Sequence, residues 1–391
     1  MEASLYVHVP FCAGCCDYCD FYSAPVLRQD KRLNLFIERL LEDAALLFRS
    51  FRVDCIPTVY IGGGTPSVLG AEGIKRLLDG LSGYWPGESR RDSPLEITVE
   101  ANPESAGRDF LEACRDGGVT RVSLGVQSFS EKSRKAVHRV GEAGLLTGCL
   151  ELVSEIYPRS FSADLIAGLP FQNEKILLDD IERLLSFNPG HVSLYSLTVE
   201  EGSALFDIVA QGEDIGLPPP DEADSLWIKG RDFLEQACFR QYEVSNFSLP
   251  GKESLHNIRY WRMENWLGLG PGASGTIFDD EGTARRYTVK ADADAWLKRE
   301  TSSEPPEVIE ESLDSLTLMK ESLLMGFRYV KGVDQPLFKK RFGKTLEEAI
   351  PHTLEKWNAR GFLRQGSMAL NSGGLLFLDR FLIDAFDEID Q

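Results

Sequence analysis

The sequence predicts an α/β protein, built as an open, partial (β/α)6 barrel that is followed by a small, mainly helical domain with a winged-helix-like arrangement. Over the first 200 residues, six short β-branched or apolar runs alternate with amphipathic helical patterns, which is typical of parallel strands joined by crossover helices. Beyond residue 200 this alternation ends. Six units are fewer than a closed eightfold barrel needs, and an open doubly wound sheet is the second architecture that fits.

The elements follow in a regular order. The predicted strands read SLYVHV, TVYIGG, LEITVEA, RVSLGV, FSADLIAG and HVSLYSLT. In the first helix, Leu33, Phe36, Ile37, Leu40 and Ala44 recur at spacings of three and four, which places them on one helical face. Further helices are predicted near residues 71–81, 110–115, 145–156, 176–187 and 225–236.

The last third of the chain is less regular. The segment LGLGPGASG (267–275) predicts a glycine-rich loop, and the polar, proline-containing residues 301–311 predict a linker. We therefore divide the chain into a barrel over residues 1–300, the linker, and a C-terminal domain over residues 312–391. In that domain we expect three helices and then a short β pair around residues 362–378.

Composition limits the classes of partner. The chain has 391 residues and a net charge of −19, which repels phosphate backbones and argues against nucleic acid as a partner. No apolar run is long enough to cross a membrane, and the first residues lack the basic and apolar regions of a signal peptide. We expect a cytoplasmic protein without a transmembrane segment.

Four of the eight cysteines lie within HVPFCAGCCDYCDF, residues 8–21. Cytoplasmic thiols stay reduced, which weighs against a disulfide. A structural zinc site usually needs four ligands, and no second cysteine pair has the matching spacing. Cys12, Cys16 and Cys19 form C-x3-C-x2-C, a spacing that favours a [4Fe–4S] cluster with three thiolate ligands and one open iron. A shifted set with Cys15 in place of Cys16 is the alternative. The other four cysteines are expected to be buried apolar residues.

Polar residues and glycines collect where the predicted strands end. GGGTPS follows the second strand, Glu100 and Asn102 end the third, and Gln127 ends the fourth. Asp164 and Tyr195 lie within the fifth and sixth strands. In both candidate architectures the carboxyl ends of the strands carry the functional loops, so we expect these residues to share one site.

With the cysteine spacing and GGGTPS both in view, the chain resembles the oxygen-independent coproporphyrinogen III oxidase family of radical S-adenosylmethionine (SAM) proteins. The resemblance extends to the C-terminal segment LLMGFRYVKGVDQPLFKKRFG. It implies a [4Fe–4S] cluster on Cys12, Cys16 and Cys19, whose open iron chelates SAM. An electron from the cluster then splits SAM into methionine and a deoxyadenosyl radical.

The resemblance also implies a set of SAM contacts, each on a matching position of this sequence. Gly63, Gly64 and Thr65 would meet the methionyl amino group and carboxylate, and Glu100 would face the amino group. Arg139 would pair with the carboxylate, and Tyr6 would lie near the methionyl end. Gln127 and Asp164 would hold the ribose, and Tyr18, Tyr195 and Thr198 would surround the adenine.

Two features favour the HemW-type heme chaperone branch of the family over the true oxidase. The oxidase has a fourth cysteine two positions after the third, where this chain has Phe21, and HNIRYW matches the HNxxYW signature of the chaperone branch. The resemblance implies that His256, Tyr260 and Trp261 contact heme; the alternative is a packed aromatic cluster with a hydrogen-bonded histidine. Gly141 and Ser274 stand where relatives often have histidine, which puts a site with several histidines in doubt.

The resulting interpretation is a heme chaperone that delivers heme to heme-requiring acceptors, such as respiratory membrane proteins, at the inner face of the membrane. A reductant protein and a homodimer are the further partners that the resemblance suggests, and no catalytic residue is assigned. Oxidative decarboxylation of coproporphyrinogen III is the alternative function. A winged-helix regulator is a weaker third, because the C-terminal segment is acidic overall.

Overall fold

The computed structural model describes residues 1–27, 30–84, 95–279, 282–299 and 305–390. All six predicted strands are present and parallel, in the order in which they occur in the chain. The strands of the described residues are β1 (Ser4–Val9), β2 (Phe11–Cys12), β3 (Ala24–Pro25), β4 (Thr58–Gly63), β5 (Glu96–Ala101), β6 (Arg121–Gln127), β7 (Phe161–Ala167), β8 (His191–Ser196), β9 (Arg240–Gln241), β10 (Asn246–Ser248), β11 (Trp266–Leu269), β12 (Ser274–Phe278), β13 (Ala284–Val289) and β14 (Val308–Leu313).

The predicted crossover helices pack against this sheet. The helices are α1 (Lys31–Ser50), α2 (Gly70–Ser82), α3 (Arg108–Asp116), α4 (Glu131–Ala136), α5 (Ala143–Ile156), α6 (Glu174–Leu185), α7 (Ala204–Ala210), α8 (Pro220–Gln236), α9 (Leu255–Trp261), α10 (Ala293–Leu297), α11 (Ser315–Gly326), α12 (Gln335–Phe342), α13 (Leu346–Ala349), α14 (Pro351–Ala359), α15 (Ser372–Leu375) and α16 (Leu378–Ile389). On α1 the predicted face is buried. Each fully buried Leu, Ile or Phe contributes about 1.5–3 kcal/mol to folding, so the sheet selects that face.

The sheet is open and larger than the sequence predicts. Among the described residues it has twelve strands, in the order β14-β13-β12-β11-β1-β4-β5-β6-β7-β8-β10-β9. The prediction of a loop over residues 267–275 is wrong, because β11 pairs in parallel with β1 and β12 returns beside it. Gly268 lies inside β11, where a Cβ atom would be 2.3 Å from the carbonyl oxygen of Ser274. This glycine permits close strand approach rather than a turn.

The predicted linker also takes a different form. Residues 301–304 lie outside the described residues, and Val308–Leu313 form β14, antiparallel to β13. The sequence did not reveal this strand because its side chains are mostly exposed and include two glutamates. The division into two domains at this segment remains a prediction.

The C-terminal part is mainly helical and has its own core. Phe327, Phe338, Trp357 and Phe381 are buried together among α11–α16. In place of the predicted β pair, one antiparallel bridge joins Leu363 to Leu370 in this segment.

Polar contacts attach this helical part to the barrel. Arg286 on β13 donates two hydrogen bonds to the carboxylate of Glu321 on α11, at 2.9 and 2.7 Å. Arg262, just after α9, pairs with Asp334 at 2.9 Å. The end of α9 therefore lies at the junction between the two parts. In the described part of the chain, we find no helix with the length and apolar character that crossing a membrane requires.

Candidate cluster and cofactor site

A cavity of about 370 Å³ opens at the carboxyl ends of the parallel strands. It has the size of a site for one small organic ligand. Its wall includes most of the predicted site residues: Cys12, Cys16, Cys19, Tyr18, Gly63, Gly64, Thr65, Glu100, Gln127, Arg139, Asp164, Tyr195 and Thr198. The structure therefore brings the predicted strand-end residues together around one cavity.

The cysteine loop is held at its base. Strand β2, which contains Cys12, pairs with β3, and the amide of Val26 donates to the carbonyl of Cys12 at 3.0 Å. Cys16 is buried, Cys12 and Cys19 are half-buried, and Cys15 is exposed beside Ser23. Burial raises the pKa of the Cys19 thiol to about 11. Coordination to a metal centre is what would make such a thiol a thiolate at neutral pH.

The arrangement of Cys12, Cys16 and Cys19 is compatible with each thiolate binding a different iron of a cluster. The described side chains contain no group of three or more His, Cys, Asp or Glu arranged around a single metal ion. A four-iron cube binds each cysteine thiolate at a different iron, so its ligands need not converge on one point.

Asn102 links the supports of two of these cysteines. The Thr65 hydroxyl lies 3.1 Å from Cys12 Sγ and accepts a hydrogen bond from Asn102 Nδ2 at 3.0 Å. The other end of the same amide, Oδ1, accepts from Arg139 Nη2 at 2.7 Å. Arg139 Nη1 reaches Cys16 Sγ at 3.5 Å. The sequence placed Asn102 among the strand-end residues of this site but gave no sign of its contacts with Thr65 and Arg139.

Gln127 enters the cavity through a backbone irregularity. Its φ angle is +68°, and the pairing of β6 with β7 shifts register between Gly125 and Gln127. Such a bulge re-aims a side chain at the cost of strain, and bulges are common beside functional sites. The Oε1 atom of Gln127 is buried and has no hydrogen-bond partner among the described residues. This oxygen could accept a hydrogen bond from a hydroxyl group of a ligand in the cavity.

Two buried carboxylates line the same cavity. Burial raises the pKa of Glu100 to about 7 and that of Asp164 to about 6. Glu100 accepts a hydrogen bond from the Tyr60 hydroxyl at 2.6 Å, and Asp164 lies 3.5 Å from the Ser123 hydroxyl. A positively charged ligand would favour their ionised forms. Together with the guanidinium of Arg139, they make a lining that suits a ligand with both positive and negative groups.

The glycines after β4 are required by contacts within the protein. Gly63 has φ +109°, and a Cβ atom there would lie 2.9 Å from the His8 ring. A Cβ on Gly64 would lie 2.5 Å from the carbonyl oxygen of Phe11. Close packing of this turn against the cysteine loop therefore accounts for these glycines, in addition to the approach of SAM that the sequence suggested.

Tyr6 is the predicted SAM contact that does not line the cavity. Its hydroxyl pairs with His8 Nδ1 at 2.9 Å, and its ring stacks on Tyr60 at 6.3 Å between centroids. Tyr6 is half-buried, and its side chain contacts His8 and Tyr60 rather than the cavity.

Comparison with known proteins agrees with this site. The profile of the radical SAM superfamily matches residues 6–184, and that of the HemN C-terminal domain matches residues 313–375. The heme chaperone HemW of Lactococcus lactis is 32% identical over 97% of both chains, and that of Bacillus subtilis is 30% identical over 94% of both. This chain belongs to the HemW family of the radical SAM superfamily.

Other relatives share the fold or most of the sequence of this HemW-family chain. A mouse protein, radical S-adenosyl methionine domain-containing protein 1, mitochondrial, is 36% identical over 85% of this chain and 74% of its own length. The solved structure of coproporphyrinogen III oxidase (HemN) from Escherichia coli matches with a TM-score of 0.81, covering 99% of this chain and 90% of that one. At 20% identity this match shows the common fold. Membership of the superfamily implies SAM and a [4Fe–4S] cluster, and the cavity lining fits both.

The HNxxYW motif lies at the opposite end of the strands. It forms α9, whose first two amides donate to Glu96, at the start of β5. His256 is 1% exposed, and its Nδ1 pairs with the hydroxyl of Thr58 at 2.9 Å. Burial lowers the pKa of His256 to about 3, so the imidazole is neutral. Its Nε2 atom is buried, and no group in the described part of the chain hydrogen-bonds to it.

In this structure the motif residues form a packed aromatic cluster. The His256 ring lies 5.2 Å from that of Tyr60 and 4.9 Å from that of Tyr260. Trp261 is half-buried, and the guanidinium of Arg328 lies 5.9 Å from its ring. None of the three motif residues lines the cysteine-bearing cavity. Their contact with heme remains a prediction.

Proposed function

We propose that this HemW-family protein is a heme chaperone, which binds heme and delivers it to heme-requiring acceptors. The observation that carries the proposal is the similarity to the heme chaperone HemW of L. lactis over 97% of both chains. Phe21, at the position of the fourth cysteine of the oxidase, supports it. This side chain is 65% exposed and lies at the mouth of the cavity.

The cavity would hold the superfamily's two cofactors. Cys12, Cys16 and Cys19 would bind the [4Fe–4S] cluster, which supplies an electron and an open iron position when bound. Arg139 would orient the carboxylate of SAM, while Glu100 would accept hydrogen bonds from its amino group. Gln127 and Asp164 would hold the ribose hydroxyls, and Tyr18, Tyr195 and Thr198 would enclose the adenine.

We place heme outside this cavity. The cluster and SAM would occupy it, and none of the three HNxxYW residues that the resemblance assigns to heme lines it. The unpaired Nε2 of His256 is a candidate iron ligand, since neutral imidazole nitrogen is a common ligand of heme iron. Because α9 encloses this atom, ligation there would require α9 to move. Acceptors at the cytoplasmic face of a membrane and a reductant protein are the partners of this proposal.

A heme titration with matched variants tests the proposal. Wild-type protein, reconstituted anaerobically, is expected to bind heme stoichiometrically, as followed by its absorption band. His256→Ala should weaken binding, whereas His191→Ala should not. His191 is a suitable control because it is equally buried and hydrogen-bonded inside the barrel, to Ser162 and Tyr242.

The same preparation discriminates the oxidase function. With SAM, a reductant and coproporphyrinogen III, we expect no catalytic formation of protoporphyrinogen. Turnover in this assay would overturn the chaperone proposal. Transfer of bound heme to an apo-cytochrome would support it.

A further inference from the structure

A second cavity, of about 380 Å³, lies at the amino ends of the parallel strands, opposite the cysteine-bearing cavity. It is formed where β5, β6 and β7 begin and where the chain enters α9. Its charged lining consists of Arg121, Arg159 and Lys252, together with Glu96 and Glu253. Three basic groups in one cavity are unusual for a chain with a net charge of −19.

Two of these basic groups are uncommitted. Arg121 is fully used, since its guanidinium contacts Glu96 at 3.5 Å and donates to the carbonyls of Lys252 and Glu253 at 2.9 and 2.7 Å. In the described part of the chain, neither Arg159 nor Lys252 forms an ion pair. The ammonium group of Lys252 reaches the hydroxyl of Ser160 at 3.3 Å. An anionic ligand would give both side chains a partner of opposite charge.

The backbone that carries these two residues is fixed. Arg159 has φ +55°, and a Cβ atom on Gly190 would lie 2.3 Å from its carbonyl oxygen. The amide of Leu249 donates to Gly190, and the amide of Lys252 donates to Leu249, both at 3.0 Å. The turns before β7, β8 and α9 are thus joined by hydrogen bonds and close contact. Binding here would not have to order the backbone first, which preserves affinity.

The cavity also has an apolar side that connects it to the HNxxYW motif. Leu255 lines the cavity, is 41% exposed, and directly precedes His256. Apolar surface next to two uncommitted cations suits an amphipathic ligand that carries carboxylates. We propose that this cavity is a carboxylate-binding site that takes the propionate groups of heme, with Arg159 and Lys252 as the recognising residues. This inference rests on the proposed function and names the place where the ligand's acidic edge is held.

Two kinds of porphyrin comparison separate the contribution of the iron from that of the propionates: with against without iron, and free acid against ester. Metal-free mesoporphyrin IX keeps both propionates and cannot use an iron ligand, and its dimethyl ester lacks the charges. Arg159→Gln and Lys252→Gln should each weaken mesoporphyrin binding about tenfold or more, as expected for loss of a charge-assisted contact. They should not change binding of the ester. Arg285→Gln, on the exposed side of β13, is the matched control and should bind like wild type.

The outcomes distinguish this inference from the proposed function. Unchanged mesoporphyrin affinity in both variants, with an unchanged melting temperature, would refute the site while leaving heme delivery intact. If wild type takes up mesoporphyrin and heme in an Arg159-dependent way but transfers no heme to an apo-cytochrome, the site stands and the chaperone proposal fails. Displacement of the porphyrin by inorganic phosphate at similar concentration would reveal a general anion site and overturn the assignment. Binding of neither porphyrin would overturn both proposals.

Discussion

The amide side chain of Asn102 connects the residue that supports Cys12 to the residue that supports Cys16. One end contacts the threonine beside Cys12, and the other holds the arginine that reaches Cys16. Such a link fixes the relative position of the two thiols, and hydrogen bonds to the supports of metal-binding side chains orient those side chains. The position of the cysteine loop therefore depends on side chains that directly follow β4 and β5 and on the turn before α5.

Cys15 is the residue whose role the structure distinguishes best from those of its neighbours. It is exposed, whereas Cys16 is buried and contacted by Arg139. Cys15→Ser should therefore keep the iron content and the brown colour of the reconstituted protein, while Cys16→Ser should lose both. Iron analysis and the visible spectrum measure this. Loss of the cluster in Cys15→Ser alone would mean that the ligand set is Cys12, Cys15 and Cys19.

Glu100 should make SAM binding dependent on pH. Its pKa is raised to about 7 by burial, so below this pH the carboxyl is largely neutral in the free protein. If the amino group of SAM must donate to the ionised carboxylate of Glu100, the affinity of the protein for SAM should rise between pH 6 and pH 8 and then level off. The rise approaches about tenfold per pH unit only well below the pKa. Isothermal titration at several pH values measures this profile.

Glu243 provides the control for this pH profile. Burial raises its pKa to about 7 as well, but it does not line the cavity. Glu100→Gln should flatten the profile, and Glu243→Gln should leave it unchanged. A profile that stays steep in Glu100→Gln would assign the titration to another group, with Asp164 the next candidate because its pKa is also raised.

At the scale of elements, the sequence predicted the βα units and missed the rest of the sheet for a physical reason. The six parallel strands are mostly buried, so each is rich in β-branched and apolar residues that can be recognised locally. Strand β11 has four residues, one of them glycine, and β14 is mostly exposed. Their pairing is set by partners distant in sequence, which a local pattern does not reveal.

The same reasoning explains which parts of the site were predictable. Residue types at strand ends identified the cavity wall, because parallel strands end at one edge. The bulge at Gln127 and the contacts of Tyr6 with His8 and Tyr60 depend on register and side-chain direction. The enclosure of His256 depends on how α9 packs under the barrel, so the motif alone could not show it.

The turn between β4 and α2 allows a test of its two constraints. Gly63 and Gly70 both have positive φ, but only a Cβ on Gly63 would meet a neighbour, the His8 ring at 2.9 Å. Gly70→Ala should cost about 1 kcal/mol of unfolding free energy from backbone strain, and Gly63→Ala should cost about 2–4 kcal/mol because a clash is added. Denaturant unfolding measures both. Equal costs would show that packing against His8 is unimportant.

At the scale of the whole molecule, the added strands β11–β14 connect the barrel to the C-terminal helices. Strand β13 pairs with β12 and β14 on its two sides and supplies Arg286, whose guanidinium contacts α11. The helical part therefore packs on the sheet extension and on the end of α9, where Trp261 is half-buried. Any movement of α9 to admit heme would be transmitted to this junction.

The ion pair between Arg286 and Glu321 measures how firmly the junction is held. Both side chains are about a quarter exposed, at 25% and 23%, and the contact has two hydrogen bonds. A double-mutant cycle with alanine at both positions should give a coupling free energy of about 1 kcal/mol, since partial burial and bidentate geometry strengthen such a pair. The pair between Arg108 and Glu155 has the same two-bond geometry at 3.0 and 2.8 Å, but its side chains are 48% and 61% exposed. Its coupling should be smaller and should vanish in high salt. Equal couplings for the two pairs would mean that the contact between β13 and α11 is as open to solvent as the outer surface of the barrel.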